Sequence, residues 1–321
     1  MKIVLPGGTG NVGGFLSRAL AAAGHEVVVL SRRGGVDLGG GVRSVVWDAR
    51  TPGPWTAEVD GADAVVNLAG RSVSCRYTEE NLREMLESRV DSTRVVGEAV
   101  AAASAPPGVW LQMSTATIYA HRHDAPNDEA TGIIGGGEPG VPDYWAFSVE
   151  IAKRWEEAQR EAVTPRTRKV ALRTAMVMSP DRGSVFDVLS WMARLGLGGS
   201  VAGGRQFVSW IHADDFRRAV EFLLTREDVE GPVNLAAPDP LPQREFGRVL
   251  RRAWRMPVGL PATSRMAGIG AFVLRSDTEL LLKSRRVVPT RLSEAGFTFD
   301  FPRWETAAAD LVRAVRGRTG P

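Results

Sequence analysis

A glycine-rich turn near the start of the chain constrains its fold more than any other feature. The turn follows a short β-branched apolar run, Lys2 to Leu5, and precedes Phe15 to Ala23, a run of helix formers without glycine or proline. Glycines spaced G-x-x-G-x-x-G between a strand and a helix let backbone N–H groups approach a pyrophosphate at the positive end of the helix. The turn comprises Gly7, Gly8, Thr9, Gly10, Asn11, Val12 and Gly13. It predicts a dinucleotide site, and a plain glycine-rich turn is the alternative.

Alternation of apolar runs with helical stretches predicts the fold class. Val27 to Leu30 is a continuous apolar run, typical of a parallel strand that is buried on both faces. The further strand candidates are Ser44–Trp47, Ala64–Leu68, Val109–Met113 and Lys169–Thr174, and the helical stretches are Glu79–Ala103 and Phe147–Ala162. We therefore expect an α/β chain with a Rossmann-type doubly wound parallel sheet.

The pattern becomes less regular after about residue 180, which indicates a second, smaller lobe. We expect residues 1–180 to form a nucleotide-binding domain, with segments around 203–240 returning to it. Residues 181–321 then form an α+β substrate lobe that includes a small C-terminal domain at about 245–315. The strict alternation of Phe297–Phe301 predicts a short strand before a last helix, Trp304–Val315.

Charge and cysteine content argue against several other classes of protein. A net charge of +3, without a block of like charges, gives no indication of a nucleic-acid partner. Cys75 is the only cysteine, so an internal disulfide and a multi-cysteine metal site are excluded, and we expect neither a metal nor a reactive thiol. The first apolar run is too short for a signal peptide or a membrane span, so the expected location is cytoplasmic, without a membrane partner.

The end of the second strand indicates which nicotinamide dinucleotide is bound. NAD-selective sites usually carry an acid there for the ribose hydroxyls, whereas guanidinium groups suit a 2′-phosphate. The sequence has Ser31, Arg32 and Arg33. NADP(H) is therefore favoured over NAD(H), with two solvated surface arginines as the alternative. Asp48 is a candidate for the adenine end or a turn residue, and the small residues after the fourth strand would let the backbone pass close to the cofactor: Leu68, Ala69 and Gly70.

Short motifs along the chain indicate its relatives. They include Asn67–Gly70, Arg76–Asn81, Ser114–Tyr119, Phe207–His212, Gly231–Ala236 and Val287–Leu292. Together they resemble the extended, epimerase-like branch of the short-chain dehydrogenase/reductase superfamily. The chain looks most like those epimerase-family proteins that end in a small C-terminal domain of unknown function. The resemblance implies hydride transfer with a nicotinamide, a small-molecule substrate and a homodimer.

The same resemblance implies that a Ser or Thr after the fifth strand orients the substrate oxygen. Ser114 and Thr115 match this position. We favour Ser114, and a hydroxyl that caps the next turn is the alternative. The Tyr-x-x-x-Lys pair that normally supplies and tunes the proton in the superfamily is absent. Placing Lys153 at the lysine position puts Val149 at the tyrosine position. Placing Glu156 at the acid that often follows puts Ser148 and Ala152 at the pair.

A valine or serine cannot replace a phenol whose pKa is lowered by an ammonium group, so another proton donor is needed. The candidates are Tyr119, His121, His123 and Tyr144, each of which has a structural or surface role as its alternative. Lys153 would hold the nicotinamide ribose, or it is a solvated lysine on a helix face. We interpret His212 and Asp215 as the start of a helix and not as a catalytic pair.

Two functions follow from these observations. The first is an NADP(H)-dependent oxidoreductase or epimerase that acts on a small carbonyl- or hydroxyl-bearing metabolite at the carboxyl ends of the strands. The alternative is a catalytically silent nucleotide-binding protein that senses redox state or serves as a scaffold. The well-formed phosphate turn and the intact hydroxyl strand favour the enzyme.

Overall fold

The computed structural model describes residues 1–73, 75, 77–142, 144–263 and 279–319. Seven parallel strands form one sheet: β1 (Lys2–Pro6), β2 (Glu26–Ser31), β3 (Arg43–Val46), β4 (Ala64–Asn67), β5 (Val109–Thr115), β6 (Arg168–Thr174) and β10 (Gly231–Leu235). Their order across the sheet is β10-β6-β5-β4-β1-β2-β3. Two short pairs lie outside this sheet: β7 (Met176–Met178) with β9 (Trp210–His212), and β8 (Phe207–Val208) with β11 (Leu241–Pro242). The predicted Rossmann-type sheet is confirmed.

Helices connect the strands and cover the sheet. They are α1 (Asn11–Ala22), α2 (Glu79–Ala102), α3 (Trp145–Glu161), α4 (Val185–Arg194), α5 (Ala213–Thr225), α6 (Gln243–Ala253), α7 (Glu279–Leu282), α8 (Thr290–Glu294) and α9 (Trp304–Thr319). Two 3₁₀ helices span Pro54–Glu58 and Ala116–Ile118. The first helix begins at Asn11, four residues before the predicted start at Phe15. The prediction excluded glycines, but Gly13 and Gly14 lie within the helix.

Apolar layers cover both faces of the sheet, which is why its strands are continuous apolar runs. On one face, Leu16 and Leu20 of α1 and Phe216 of α5 pack against alternate residues of the strands. On the other face, Val96 of α2 and Trp55 pack against the intervening strand residues. A separate apolar cluster joins α4, α6 and α9 in the second half of the chain.

The direction of strand succession reverses between β1 and β4, since β2 and β3 lie on one side of β1 and β4, β5 and β6 on the other. In doubly wound sheets a crevice opens at this point beyond the carboxyl ends of the strands. Gly7, after β1, and Ala69, after β4, come together here. The fold therefore places the glycine-rich turn at the position where such sheets bind ligands.

The strand predicted at Phe297–Phe301 is wrong. The backbone N–H groups of Asp300 and Phe301 donate to the Asp215 carboxylate, at 2.9 Å each, and not to a neighbouring strand. The aromatic alternation serves side-chain packing instead, and Phe301 stacks on His212 with ring centroids 3.9 Å apart. His212 caps α5 by accepting a hydrogen bond from the Asp214 N–H, so its interpretation as a helix start is confirmed.

Within the described ranges, no helix is both long and apolar enough to cross a membrane.

Candidate functional site

The three glycines of the motif have separable roles in the turn. Gly7 adopts a left-handed φ of +78°, and a Cβ there would lie 2.7 Å from Ala69 Cα. A Cβ on Gly13 would lie 2.5 Å from Gly8 Cα, so this glycine allows α1 to pack on the turn. A Cβ on Gly10 would meet only the Gly7 carbonyl oxygen, at 3.5 Å. Two of the glycines are therefore required by the protein's own backbone, whereas Gly10 leaves space open to solvent.

The N-terminus of α1 is suited to an anion. Its N-cap is Gly10, which has no side chain to cap the first-turn N–H groups, and the first turn contains no acidic residue. Thr9, Gly10 and Asn11 are exposed. The Asn11 side chain donates to the Gly183 carbonyl at 2.7 Å, so the loop before α4 borders the turn. Free N–H groups at the positive end of a helix, reached over an open glycine, fit a pyrophosphate.

The predicted ribose site lies at the end of β2. Ser31 is buried, and its hydroxyl oxygen accepts a hydrogen bond from the Arg33 N–H at 3.2 Å. The side chains of Arg32 and Arg33 are exposed. Asp48 lies nearby, because the N–H of its neighbour Trp47 donates to the Ser31 carbonyl at 3.1 Å. Two guanidinium groups thus stand where an acid would select NAD(H).

The Asp48 carboxylate closes a turn. It accepts hydrogen bonds from the Arg50 N–H and from the N–H and hydroxyl of Thr51. These bonds, the Thr51 hydroxyl first, lower the pKa of Asp48 to about 2. Asp48 is therefore a turn residue in this structure, and its contact with the adenine end of the cofactor stays a prediction.

The segment after β4 is held by a buried arginine, Arg89, for which no role was predicted from the sequence. Arg89 of α2 donates to the carbonyls of Met85 and Arg71, and its guanidinium lies 4.9 Å from the centre of the Trp155 ring. Burial lowers the pKa of Arg89 to about 10. A Cβ on Gly70 would lie 3.2 Å from Arg89 Cγ, so glycine lets this side chain pass beside the strand end. Arg76, in the resemblance motif, lies outside the described residues.

Ser114 belongs to a buried polar network beneath the strand ends. Its hydroxyl donates to Glu156 of α3 at 2.6 Å, and Glu156 pairs with Arg173 of β6 through two hydrogen bonds of 2.9 and 2.8 Å. Arg173 also donates to the Tyr119 hydroxyl at 3.0 Å, and that hydroxyl donates to Asn234 at 2.9 Å. The structure therefore brings Ser114 and Tyr119 into one network, joined by Glu156 and Arg173.

This network has the properties of a structural element. Burial alone lowers the pKa of Arg173, but the hydrogen bonds and charge of Glu156 raise it overall, so the guanidinium stays charged. Burial raises the pKa of Tyr119, which makes it a poorer proton donor near neutral pH. The Ser114 hydroxyl has a single proton, which it donates to the Glu156 carboxylate. The preference for Ser114 over Thr115 gains no support from this arrangement.

Thr115 lies at the carboxyl end of β5 and is half-buried. Its hydroxyl oxygen accepts a hydrogen bond from the Thr117 N–H at 3.1 Å and so caps the following 3₁₀ helix. The oxygen acts as acceptor in this bond, so its own proton can be donated to a ligand. Thr115 is therefore the better-placed hydroxyl for a substrate oxygen.

The other predicted proton donors are dispersed around the strand ends. His121 Nδ1 accepts a hydrogen bond from the Ser284 N–H at 2.8 Å, and burial lowers the pKa of its imidazole. His123 is exposed beside it, with ring centroids 5.0 Å apart. Tyr144 is the N-cap residue of α3 and is 38% exposed. Lys153 is exposed on α3 and lines a groove of about 970 Å³ on the side of β6 and β10.

Residues from the C-terminal part of the chain contact one of the two positions considered for the missing tyrosine. Ser148, the tyrosine position in one of the two registers, donates to Glu279 at 2.5 Å. Glu279 pairs with Lys283 at 3.3 Å, and the exposed fraction of each of these two side chains is 1%. Lys283 Nζ also donates to the Thr117 carbonyl at 2.9 Å. Glu279 and Lys283 were not predicted from the sequence, in which their spacing of four residues is the local signal.

Comparison with known proteins identifies the family. The model of the NAD dependent epimerase/dehydratase family matches residues 3–236. The chain belongs to this family. A second family model, a domain of unknown function (DUF1731), matches residues 271–311, of which residues 279–311 are described here.

Relatives of this family member extend over its whole length. It is 32% identical to the Bos taurus epimerase family protein SDR39U1 over 97% of this chain and 100% of the relative. The crystal structure of human epimerase family protein SDR39U1 (isoform2) with NADPH is similar, with a TM-score of 0.84 at 28% identity, covering 98% of this chain and 99% of that one. A nucleoside-diphosphate sugar epimerase from Corynebacterium glutamicum has a TM-score of 0.75 at 26% identity, covering 97% of this chain and 58% of that chain. The predicted superfamily resemblance is confirmed.

The part of the chain that the structure describes contains no group of three or more His, Cys, Asp or Glu side chains arranged to hold a metal ion.

Proposed function

We propose that this family member is an NADP(H)-dependent oxidoreductase or epimerase of the short-chain dehydrogenase/reductase type, acting on a small carbonyl- or hydroxyl-bearing metabolite. The observation that carries the proposal is the uncapped N-terminus of α1 with open space over Gly10, at the point where the strand order reverses. The NADPH in the human SDR39U1 structure supports the same choice of nucleotide.

The preference for the phosphorylated nucleotide rests on Arg32 and Arg33. Both follow β2 directly and are exposed, and the chain has no acid at this strand end. An arginine offers paired, charge-assisted hydrogen bonds to a phosphate, each stronger than a neutral hydrogen bond. We expect the 2′-phosphate of NADP(H) to lie between these side chains and the Ser31 hydroxyl.

The reacting part of the substrate would lie at the carboxyl end of β5. A bound nicotinamide supplies or accepts a hydride there. Thr115 is half-buried at the end of this strand, and its hydroxyl proton is available to orient a carbonyl or hydroxyl oxygen. Ser114 and Tyr119 lie behind it in the buried network and hold β5, β6 and α3 together.

Nucleotide preference is tested by titrating the purified protein with NADPH and NADH while nicotinamide fluorescence is recorded. Arg32→Ala should weaken NADPH binding about 10-fold or more, the effect of losing a charge-assisted hydrogen bond, and should change NADH binding little. Arg160→Ala is the matched control, because Arg160 is an exposed arginine at the C-terminal end of α3. Equal losses for the two nucleotides would refute the 2′-phosphate site.

Turnover is tested by incubating the NADPH complex with a panel of small carbonyl compounds. Oxidation of NADPH by a panel member establishes the reductase, and Thr115→Val should then abolish turnover without changing nucleotide affinity. Ser114→Ala should affect stability more than turnover, because its hydroxyl contacts Glu156. Tight NADPH binding without turnover across a broad panel would favour the alternative, a silent nucleotide-binding protein.

A further inference from the structure

A buried ion pair from the C-terminal segment lies beside the strand end where the proposed chemistry takes place. Lys283 and Glu279 are contributed by α7 and the residue after it, more than 160 positions beyond Thr117 in the chain. We infer that the Lys283 ammonium, held by Glu279, is the group that exchanges a proton with the substrate oxygen. This inference rests on the proposed function and deepens it.

The geometry places Lys283 at the hydroxyl strand. Lys283 Nζ donates to the Thr117 carbonyl at 2.9 Å. The backbone N–H of Thr117 donates to Thr115 Oγ1 at 3.1 Å. The ammonium and the substrate-orienting hydroxyl therefore contact opposite ends of one residue in a single turn of 3₁₀ helix. An ammonium group has three donors, so a third hydrogen remains after the bonds to Thr117 and Glu279.

Glu279 links this ammonium to α3. Its carboxylate accepts a hydrogen bond from Ser148 at 2.5 Å and lies 3.3 Å from Lys283 Nζ. Ser148 is the residue that one register puts at the position of the missing tyrosine. A hydroxyl, a carboxylate and an ammonium from two distant parts of the chain are thus connected at one of the two positions considered for the tyrosine.

Several charged groups face the Lys283 ammonium. Burial lowers the pKa of Lys283, and Glu279, followed by Glu138 in the loop after β5, opposes the shift. Arg285 adds to the lowering, and Lys283 in turn lowers the pKa of His121. A buried lysine with a lowered pKa releases a proton more readily than a solvated one.

The proposed step balances as a carbonyl reduction. The carbonyl carbon gains the hydride supplied by NADPH, and the carbonyl oxygen gains a proton from Lys283 Nζ. A hydroxyl forms, NADP⁺ remains, and the neutral amine of Lys283 recovers a proton from solvent. In the reverse direction the neutral amine takes the proton of the substrate hydroxyl.

The test uses the difference in charge between the reduced and the oxidised nicotinamide ring, and it requires no substrate. The chain has only four lysines, so biosynthetic labelling of lysine with ¹³C at Cε yields few signals, each assignable by a Lys→Arg substitution. The pH titration of each signal is recorded in the NADPH and the NADP⁺ complexes. The ring is neutral in NADPH and positive in NADP⁺, so a nearby ammonium should titrate about one pH unit lower in the NADP⁺ complex. Lys169, near the amino end of β6 and away from the proposed site, is the internal control and should titrate alike in both complexes.

Glu279→Gln provides a second measurement, since loss of the carboxylate should lower the titration midpoint of Lys283 further. Glu150→Gln, on the exposed side of α3, is the control and should leave it unchanged. A Lys283 midpoint that is equal in the two complexes would mean that the pair only anchors the C-terminal segment, and the inference would be overturned. Nucleotide affinity is measured on the same samples, and absence of binding would overturn the proposed function as well. If Glu279→Gln fails to fold, the wild-type comparison still decides.

Discussion

Replacing Gly10 by alanine should separate nucleotide binding from folding. The Gly10 backbone has φ −74° and ψ 173°, an extended conformation that alanine adopts freely, and the added Cβ would meet only the Gly7 carbonyl oxygen, at 3.5 Å. Alanine is a weaker N-cap than glycine, and we expect a loss of at most about 1 kcal/mol in the free energy of unfolding. The melting temperature should therefore fall by only about 2–4 °C.

The same methyl group should interfere strongly with NADPH. It would project into the space through which the pyrophosphate approaches the first-turn N–H groups of α1. Loss of one charge-assisted hydrogen bond costs about 1.5–3 kcal/mol, which corresponds to about a 10- to 150-fold increase in Kd. Fluorescence titration with NADPH measures Kd, and differential scanning calorimetry of the nucleotide-free protein measures the melting temperature.

Gly14→Ala is the matched control. A Cβ there would also meet its nearest neighbour, Arg18 Nη1, at 3.5 Å, but Gly14 is buried and its N–H already donates to the Gly10 carbonyl at 2.7 Å. This substitution should stabilise the protein by about 1 kcal/mol, because alanine is the better helix former, and should leave Kd unchanged. The phosphate-site assignment would be refuted if Gly10→Ala bound NADPH as tightly as Gly14→Ala.

Three further perturbations test the structure elsewhere. Arg173→Met leaves the Glu156 carboxylate buried without its partner, so urea denaturation should show a loss of about 3–5 kcal/mol, and a loss below about 1 kcal/mol would argue against the buried pair. Gly13→Ala places a Cβ 2.5 Å from Gly8 Cα and should cost about 1–3 kcal/mol in the same assay, whereas wild-type stability would contradict the close packing of α1. The folded pKa of Asp48 is about 2, below the ordinary 3.8, so its contribution is present above pH 4 and is lost as the pH falls towards 2. Asp48→Ala should therefore be less stable than wild type at pH 7 and equal to it near pH 2, and a deficit that persists in acid would contradict the turn assignment.

The sheet was predictable because its signals are local. Each of the first six strands is a short apolar run between turn residues, and each was predicted to within a few residues of its observed bounds. The parallel arrangement follows from the helices between the runs. The prediction at Phe297–Phe301 failed because an alternating aromatic pattern also suits an extended segment whose N–H groups bind a side chain, here the Asp215 carboxylate.

The candidate site also has a part that could be predicted from local sequence and a part that could not. The glycine turn and the Ser31-Arg32-Arg33 segment lie within the first 33 residues, so their spacing could be read directly. The choice between Ser114 and Thr115 could not, because it depends on Glu156, which is 42 residues further along the chain and takes the Ser114 proton.

The sequence by itself determined the first six strands of the sheet, the position of the dinucleotide turn and the absence of a Tyr-x-x-x-Lys pair, since each is a pattern among neighbouring residues. Only the tertiary structure decided which distant side chains contact the position considered for the missing tyrosine. Ser148 and Glu279 are 131 residues apart, and their contact arises where α7 packs against α3 beside the end of β5. Burial then couples the charges of Glu279 and Lys283, and no periodicity along the chain specifies which distant groups share a low-dielectric space.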